Sequence, residues 1–115
     1  MRNIAEEISE ESMRAYELAL TYTNRVMSQC NHLQWVDILA MRNGNPSIVA
    51  MANVVAWCAD AVELAADKGL LPNESMLDEA RECEWRLRQI ERAIVTEDQS
   101  MLESILRSTD REGDT

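Results

Sequence analysis

Between residues 74 and 95 the apolar side chains fall at Met76, Ala80, Cys83, Leu87, Ile90 and Ile94, alternately four and three apart. That spacing is the seam of an amphipathic helix. Elsewhere no segment alternates apolar and polar residues as a half-buried strand would. Two prolines and three glycines leave little punctuation for a fold made of many turns. Alanine, leucine, methionine, glutamate and arginine dominate, and all favour helix. The predicted fold is therefore all-α: a compact bundle of four main helices and a short C-terminal one. Its length of 115 residues fits one domain. The helical part is expected over residues 1–108, with a short polar, frayed tail over 109–115.

Trp85 sits on the wrong side of this seam. At about 100° per residue it falls roughly 180° from the middle of the stripe. Arg81, Arg88 and Arg92 share its side, with Glu84 and Asp78 near by. Tryptophan and arginine are the residues most enriched at the energetic centres of interfaces, and guanidinium groups one turn away can stack on an indole. These six residues are the candidate partner-binding set. A contact with a second copy of the chain, or cover from another helix of the same chain, are the alternatives. Opposite charges at helical spacing, Glu82 with Arg86 and Glu84 with Arg88, should lace the same surface.

The other helices are read from their caps. Asn3 with Glu6 opens a first helix to about Gln29. Its inner face is Ile4, Ile8, Ala15, Ala19, Tyr22 and Val26, beside a second strip at Met13, Tyr16, Leu20 and Met27. Asn31 with Gln34 suits a cap for a second helix over residues 32–42. Trp35, Val36, Ile38, Leu39, Ala40 and Met41 leave that helix almost no polar face, so it should be covered on several sides. Trp35, Ile38 and Met41 are accordingly candidate contacts with a second subunit. Gly44 suits a helix end, and Asn45 followed by Pro46 suits the start of a third helix. This one runs to about Lys68 with only a narrow polar arc at Asn53, Asp60, Glu63 and Asp67, which marks it as the central helix. Gly69 stops it. Asn73 caps the fourth helix, and Thr96 with Gln99 has the capping-box pattern for the fifth.

The formal charge of −10 excludes a basic stripe for nucleic acid or anionic lipid, and every arginine cluster is interleaved with glutamate. The surface should attract a basic partner instead. Cys30, Cys58 and Cys83 are odd in number, and Met1-Arg2-Asn3 leads straight into Glu6-Glu7 without an apolar targeting core. A reducing, cytoplasmic setting with free thiols is expected. The apolar run over 48–66 is broken by Asn53, Asp60 and Glu63, as in a core helix and unlike a membrane span.

Constellations that carry chemistry lack members. One histidine, His32, has no Asp or Ser neighbour that implies a triad. No glycine-rich phosphate loop is present. Cys30-x-His32 with two distant cysteines is not a favoured zinc spacing, and buried thiols as small apolar fillers are commoner. Glu6-Glu7 with Glu10-Glu11 puts carboxylates one turn apart, as a Mg²⁺ ion would want them. This resembles the first half of the all-α nucleotide pyrophosphohydrolase pattern, in which a Glu-Glu-x-x-Glu helix faces a Glu-x-x-Asp helix. The resemblance implies Mg²⁺-dependent nucleotide hydrolysis. For the second half, Asp37 stands alone and Asp60-x-x-Glu63 has the reversed order.

The expected function is therefore non-enzymatic, with neither metal nor cofactor: an acidic protein that blocks a basic site on a protein partner. By analogy of size, charge and fold class it groups with phage-type inhibitors of host defence complexes such as anti-CRISPR proteins. A homo-oligomeric adaptor, an immunity protein or an antitoxin is the alternative, and the nucleotide hydrolase a second one.

Overall fold

The computed structural model describes the backbone of residues 3–113 and the side chains of residues 3–108. Five helices follow one another: α1 (Ile4–His32), α2 (Trp35–Ala40), α3 (Ile48–Asp67), α4 (Ser75–Val95) and α5 (Gln99–Gly113). The fold is all-α. The short member is α2, with 6 residues, and not α5, with 15. The expected end of the domain at 108 falls inside α5, and residues 114–115 lie outside the described residues.

Helix α3 packs against both α1 and α4, and α5 lies on α4. Cross-helix bonds fix the directions. Arg88 donates to Asn53 at 2.9 Å and Arg81 to Asp60 at 3.0 Å, so α3 and α4 are antiparallel. Tyr16 donates to Glu79, while Cys30, Ile48 and Ile94 share the main core, so α1 runs with α4 and against α3. The core is the inward stripes of these helices: Val26 from α1, Ile48, Val55 and Val62 from α3, Leu87, Ile90 and Ile94 from α4, and Leu102 from α5 are fully buried or nearly so. All six members of the predicted α4 seam are buried. Helix α3 is long and apolar enough to cross a bilayer by length and composition, and half of its apolar window is buried inside the bundle.

The ends of the helices depart from the sequence reading in instructive ways. Asn31 caps nothing, because α1 continues through His32 and closes with the Leu33 amide on the Gln29 carbonyl at 2.9 Å. A run of intact i→i−4 bonds outcompetes one side-chain cap. Helix α3 starts two residues later than predicted, with Ser47 as the cap accepting from the Ala50 amide at 3.2 Å, and Asn45-Pro46 is a cis peptide in the preceding loop. Thr96 is not a start signal. It ends α4, its hydroxyl donating to the Arg92 carbonyl at 2.7 Å, and Asp98 caps α5 by accepting from the Met101 amide at 3.0 Å.

Helices α3 and α4 end alike. After α3 the Gly69 and Leu70 amides bond to the Ala66 and Ala65 carbonyls; after α4 the Glu97 and Asp98 amides bond to the Ile94 and Ala93 carbonyls. This Schellman closure needs a left-handed residue. Gly69 supplies it at φ 68°, and Glu97 supplies it at φ 55°. Gly69 thus stops α3 as expected, whereas Gly44, expected at a helix end, does not take the left-handed conformation.

The first turns of α1 extend past the bundle. Ala15 and Tyr16 pack with Val62, Met76 and Ala80, so the level of Ser12 already matches the end of α3 and the start of α4. Ile4, predicted to face inward, is 74% exposed, and Met13 of the second strip is exposed as well. The burial stripe of α1 keeps Ala19, Val26 and Met27 of the predicted faces and adds Ser12, Thr23 and Cys30.

Candidate protein-binding surfaces

Trp85 is 59% exposed, so no helix of the bundle covers it. The arginines beside it are engaged within the chain. Arg81 bonds Glu84 at 2.7 Å on its own helix and Asp60 and Glu63 at 3.0 and 2.8 Å on α3. Burial disfavours its charge, but the bonds to Glu84, Asp60 and Glu63 outweigh that and raise the guanidinium pKa above its ordinary value. Arg88 bonds Asn53 and, at 2.9 Å, Glu91. The predicted Glu84–Arg88 pair is therefore replaced by two pairs of i,i+3 spacing, whereas Glu82–Arg86 forms as expected at 3.0 Å. Arg92 and Asp78 are exposed and have no ion partner among the described residues. The guanidinium that sits on a ring is Arg25, 5.6 Å above Tyr22, far from Trp85 in the sequence.

The second exposed indole is Trp57 on α3, at 68% exposure. It was legible in the sequence. Trp57 follows Asn53 by four residues and precedes Asp60 by three, so it lies inside the polar arc assigned to that helix. The pairings Asn53–Arg88 and Asp60–Arg81 set the register of the antiparallel pair, and that register puts Trp57 level with Trp85. Each indole points away from its own helix's buried stripe. The outer face of the α3/α4 layer thus carries two tryptophans at one height, with Leu64, 54% exposed, in line with Trp57.

Helix α2 does not form the all-round apolar surface predicted for it. Ile38 is buried in the main core, Trp35 and Met41 pack partly against it, and Val36 is 69% exposed. The helix is covered on one side because only one side has a neighbour; six residues are too few to be wrapped. Ile38 is thus not on offer to a second subunit. Met41 lines a groove of about 380 Å³ with Tyr22, Arg25, Asp37 and Pro46.

Charge is distributed unevenly along the bundle. Residues 3–17, 60–68 and 74–82 form one end, and they carry twelve carboxylates against three cations, Arg14, Lys68 and Arg81. Residues 18–59 and 83–108 form the rest and carry six of each. Almost the whole net charge of the protein therefore resides at the end from which α1 projects.

The glutamates of that projection, Glu6, Glu7, Glu10 and Glu11, are exposed, and Glu10 lies 4.0 Å from Arg14. Among the described residues no acidic helix faces them, and Asp60 and Glu63 are bound to Arg81. The three cysteines are all buried as free thiols in the main core, and burial pushes each thiol pKa up, that of Cys30 to about 11. Such thiols are poor nucleophiles and poor metal ligands at neutral pH. Comparison with protein-family models, with curated proteins and with solved structures finds no match.

Proposed function

We propose that this protein acts by binding and not by catalysis, its acidic end occupying a basic site on another protein. The observation that carries the reading is the one-ended charge: twelve carboxylates against three cations on a single end of a small rigid bundle. Charge gathered in this way steers encounter with a basic surface and repels nucleic acid and anionic membrane. The projecting turns of α1 give the end a narrow shape that suits a pocket better than an extended groove. A basic pocket of this kind is what a nucleic-acid-handling complex presents, so the reading extends to a phage-type, anti-CRISPR-like inhibitor acting in the cytoplasm.

The test is competition. Tagged protein is used to capture a partner from host lysate at low salt, beside a variant with Glu6, Glu7, Glu10 and Glu11 changed to Gln. A partner that is displaced by duplex DNA or RNA and lost by the variant supports the proposal. Capture indifferent to both nucleic acid and the four substitutions, or no capture at all, overturns it.

A further inference from the structure

We infer that the outer face of the α3/α4 layer is the docking surface for a second copy of this chain. The two copies would lie antiparallel, α3 on α3 and α4 on α4, about a two-fold axis level with Trp57 and Trp85.

Three observations converge on this arrangement. Trp57 stands at the middle of α3 (Ile48–Asp67) and Trp85 at the middle of α4 (Ser75–Val95), at one height. A two-fold axis at that height brings like indoles together at the centre of an isologous interface, where anchors carry most energy. Next, the exposed stripe of α4 is self-complementary in charge. Around Trp85 it is acidic towards the N-terminus, at Glu74 and Asp78, and basic towards the C-terminus, at Arg92. Asp78 and Arg92 lie seven residues either side of Trp85, so the axis sets Arg92 against the partner's Asp78. Both are exposed and without an ion partner among the described residues. On α3 the same operation sets Leu64 against the partner's Ala50, continuing the apolar centre. Finally, the antiparallel arrangement lays the acidic end of each copy over the charge-balanced part of the other, keeping the two acidic ends apart. A parallel arrangement would superpose them.

The area suits a reversible dimer. Two adjacent helices of about 20 residues present roughly 30 Å by 20 Å, on the order of 600 Å² per copy. That is near the lower end for specific interfaces, about 1,200 Å² in total. The projecting first turns of α1, a helix that packs on the inner side of α3 and α4, lie off this face and stay free, so the dimer is tested apart from the proposed function, on the purified protein alone.

Sedimentation velocity across a concentration series should show the 13.1 kDa chain passing reversibly to twice that mass. The Trp57→Ala/Trp85→Ala variant should stay monomeric with unchanged far-ultraviolet circular dichroism. Arg92→Asp should weaken dimerisation by about tenfold or more, since it sets like charges opposite each other twice per dimer. Asp78→Arg should do the same, and the charge-swapped double variant should recover the wild-type constant. A wild type that remains monomeric at millimolar concentration overturns the proposal. So does a dimer that survives loss of both indoles. A swapped variant that stays as weak as the single ones overturns the antiparallel register.

Discussion

The hydroxyl of Tyr16 donates to the carboxylate of Glu79, joining α1 to α4 between residues 63 apart in the sequence. The hydrogen bond to Glu79, aided by burial and by the carboxylate's charge, pushes the phenol pKa from 10.0 up to about 12. The folded state thus favours the neutral phenol. Its contribution to stability is complete below pH 10 and is lost as pH rises from about 10 to about 12. Tyr16→Phe should remove this dependence and cost about 0.5–1 kcal/mol at neutral pH, the usual worth of one hydrogen bond near the surface. Urea unfolding of both proteins at neutral and high pH measures both effects. Equal losses of stability in the two proteins between pH 10 and 12 would count against the role of Tyr16.

Arg81 gathers three carboxylates, Asp60, Glu63 and Glu84, and so holds α3 to α4. Arg81→Met keeps most of the stem but leaves those carboxylates facing one another. Because the groups are partly solvated, the loss should be about 1 kcal/mol, smaller at high salt. Arg81→Lys should recover only part of it, since an ammonium cannot fork towards several carboxylates in the plane of a guanidinium. Chemical denaturation of the three proteins at low and high salt decides the matter. A lysine variant as stable as wild type would show that charge alone suffices.

Leu87 and Trp85 are two residues apart on α4 and lie on opposite faces, the first fully buried and the second 59% exposed. Leu87→Ala should cost about 2–5 kcal/mol through lost burial and the cavity left behind. Trp85→Ala, compared at concentrations where the protein is monomeric, should change stability by no more than about 0.5 kcal/mol. The denaturation midpoints give the contrast directly, and comparable losses would mean that Trp85 serves the fold.

Thr23 Oγ1 is buried without a well-formed hydrogen bond. Its neighbour is the Cys83 thiol, whose pKa burial raises and the Thr23 hydroxyl partly lowers, and a thiol is a weak partner. Thr23→Val has nearly the same shape and removes the unsatisfied group. It should leave stability unchanged or raise it by up to about 1 kcal/mol. A drop in the thermal midpoint would show that the hydroxyl is satisfied in solution.

Glu97 holds the left-handed position after α4 that Gly69 holds after α3. A side chain there is strained where glycine is not. Glu97→Gly should therefore stabilise by about 1 kcal/mol, less whatever its 3.9 Å pair with Arg42 contributes. Differential scanning calorimetry would register the gain; a lower midpoint would assign more weight to the ion pair than its exposure suggests.

These sites also show what a sequence can and cannot disclose. The α4 seam was legible because a long periodic stripe leaves one solution: its six members are all buried. Trp57 is equally legible, since it stands four residues after Asn53 and three before Asp60 on the polar arc of α3. The helix ends were not. Asn31, Asn45 and Thr96 are good capping residues, and each lost to a near competitor: Asn31 to the intact α1 ladder, and Asn45 and Thr96 to Ser47 and Asp98, two residues on. Such choices differ by a few tenths of a kcal/mol and are made by tertiary packing. The one-ended charge could not be read along the chain at all, since it arises only when the first turns of α1, the last of α3 and the first of α4 are brought to the same end.

The projection of α1 gives that polarity a mechanical side. A body 51 Å long with its excess charge at one tip is a large permanent dipole. In the field of a positively charged cleft it experiences a torque as well as an attraction, and turns tip-first while still solvated. The orientational search that slows most protein encounters would then be partly completed before the surfaces touch.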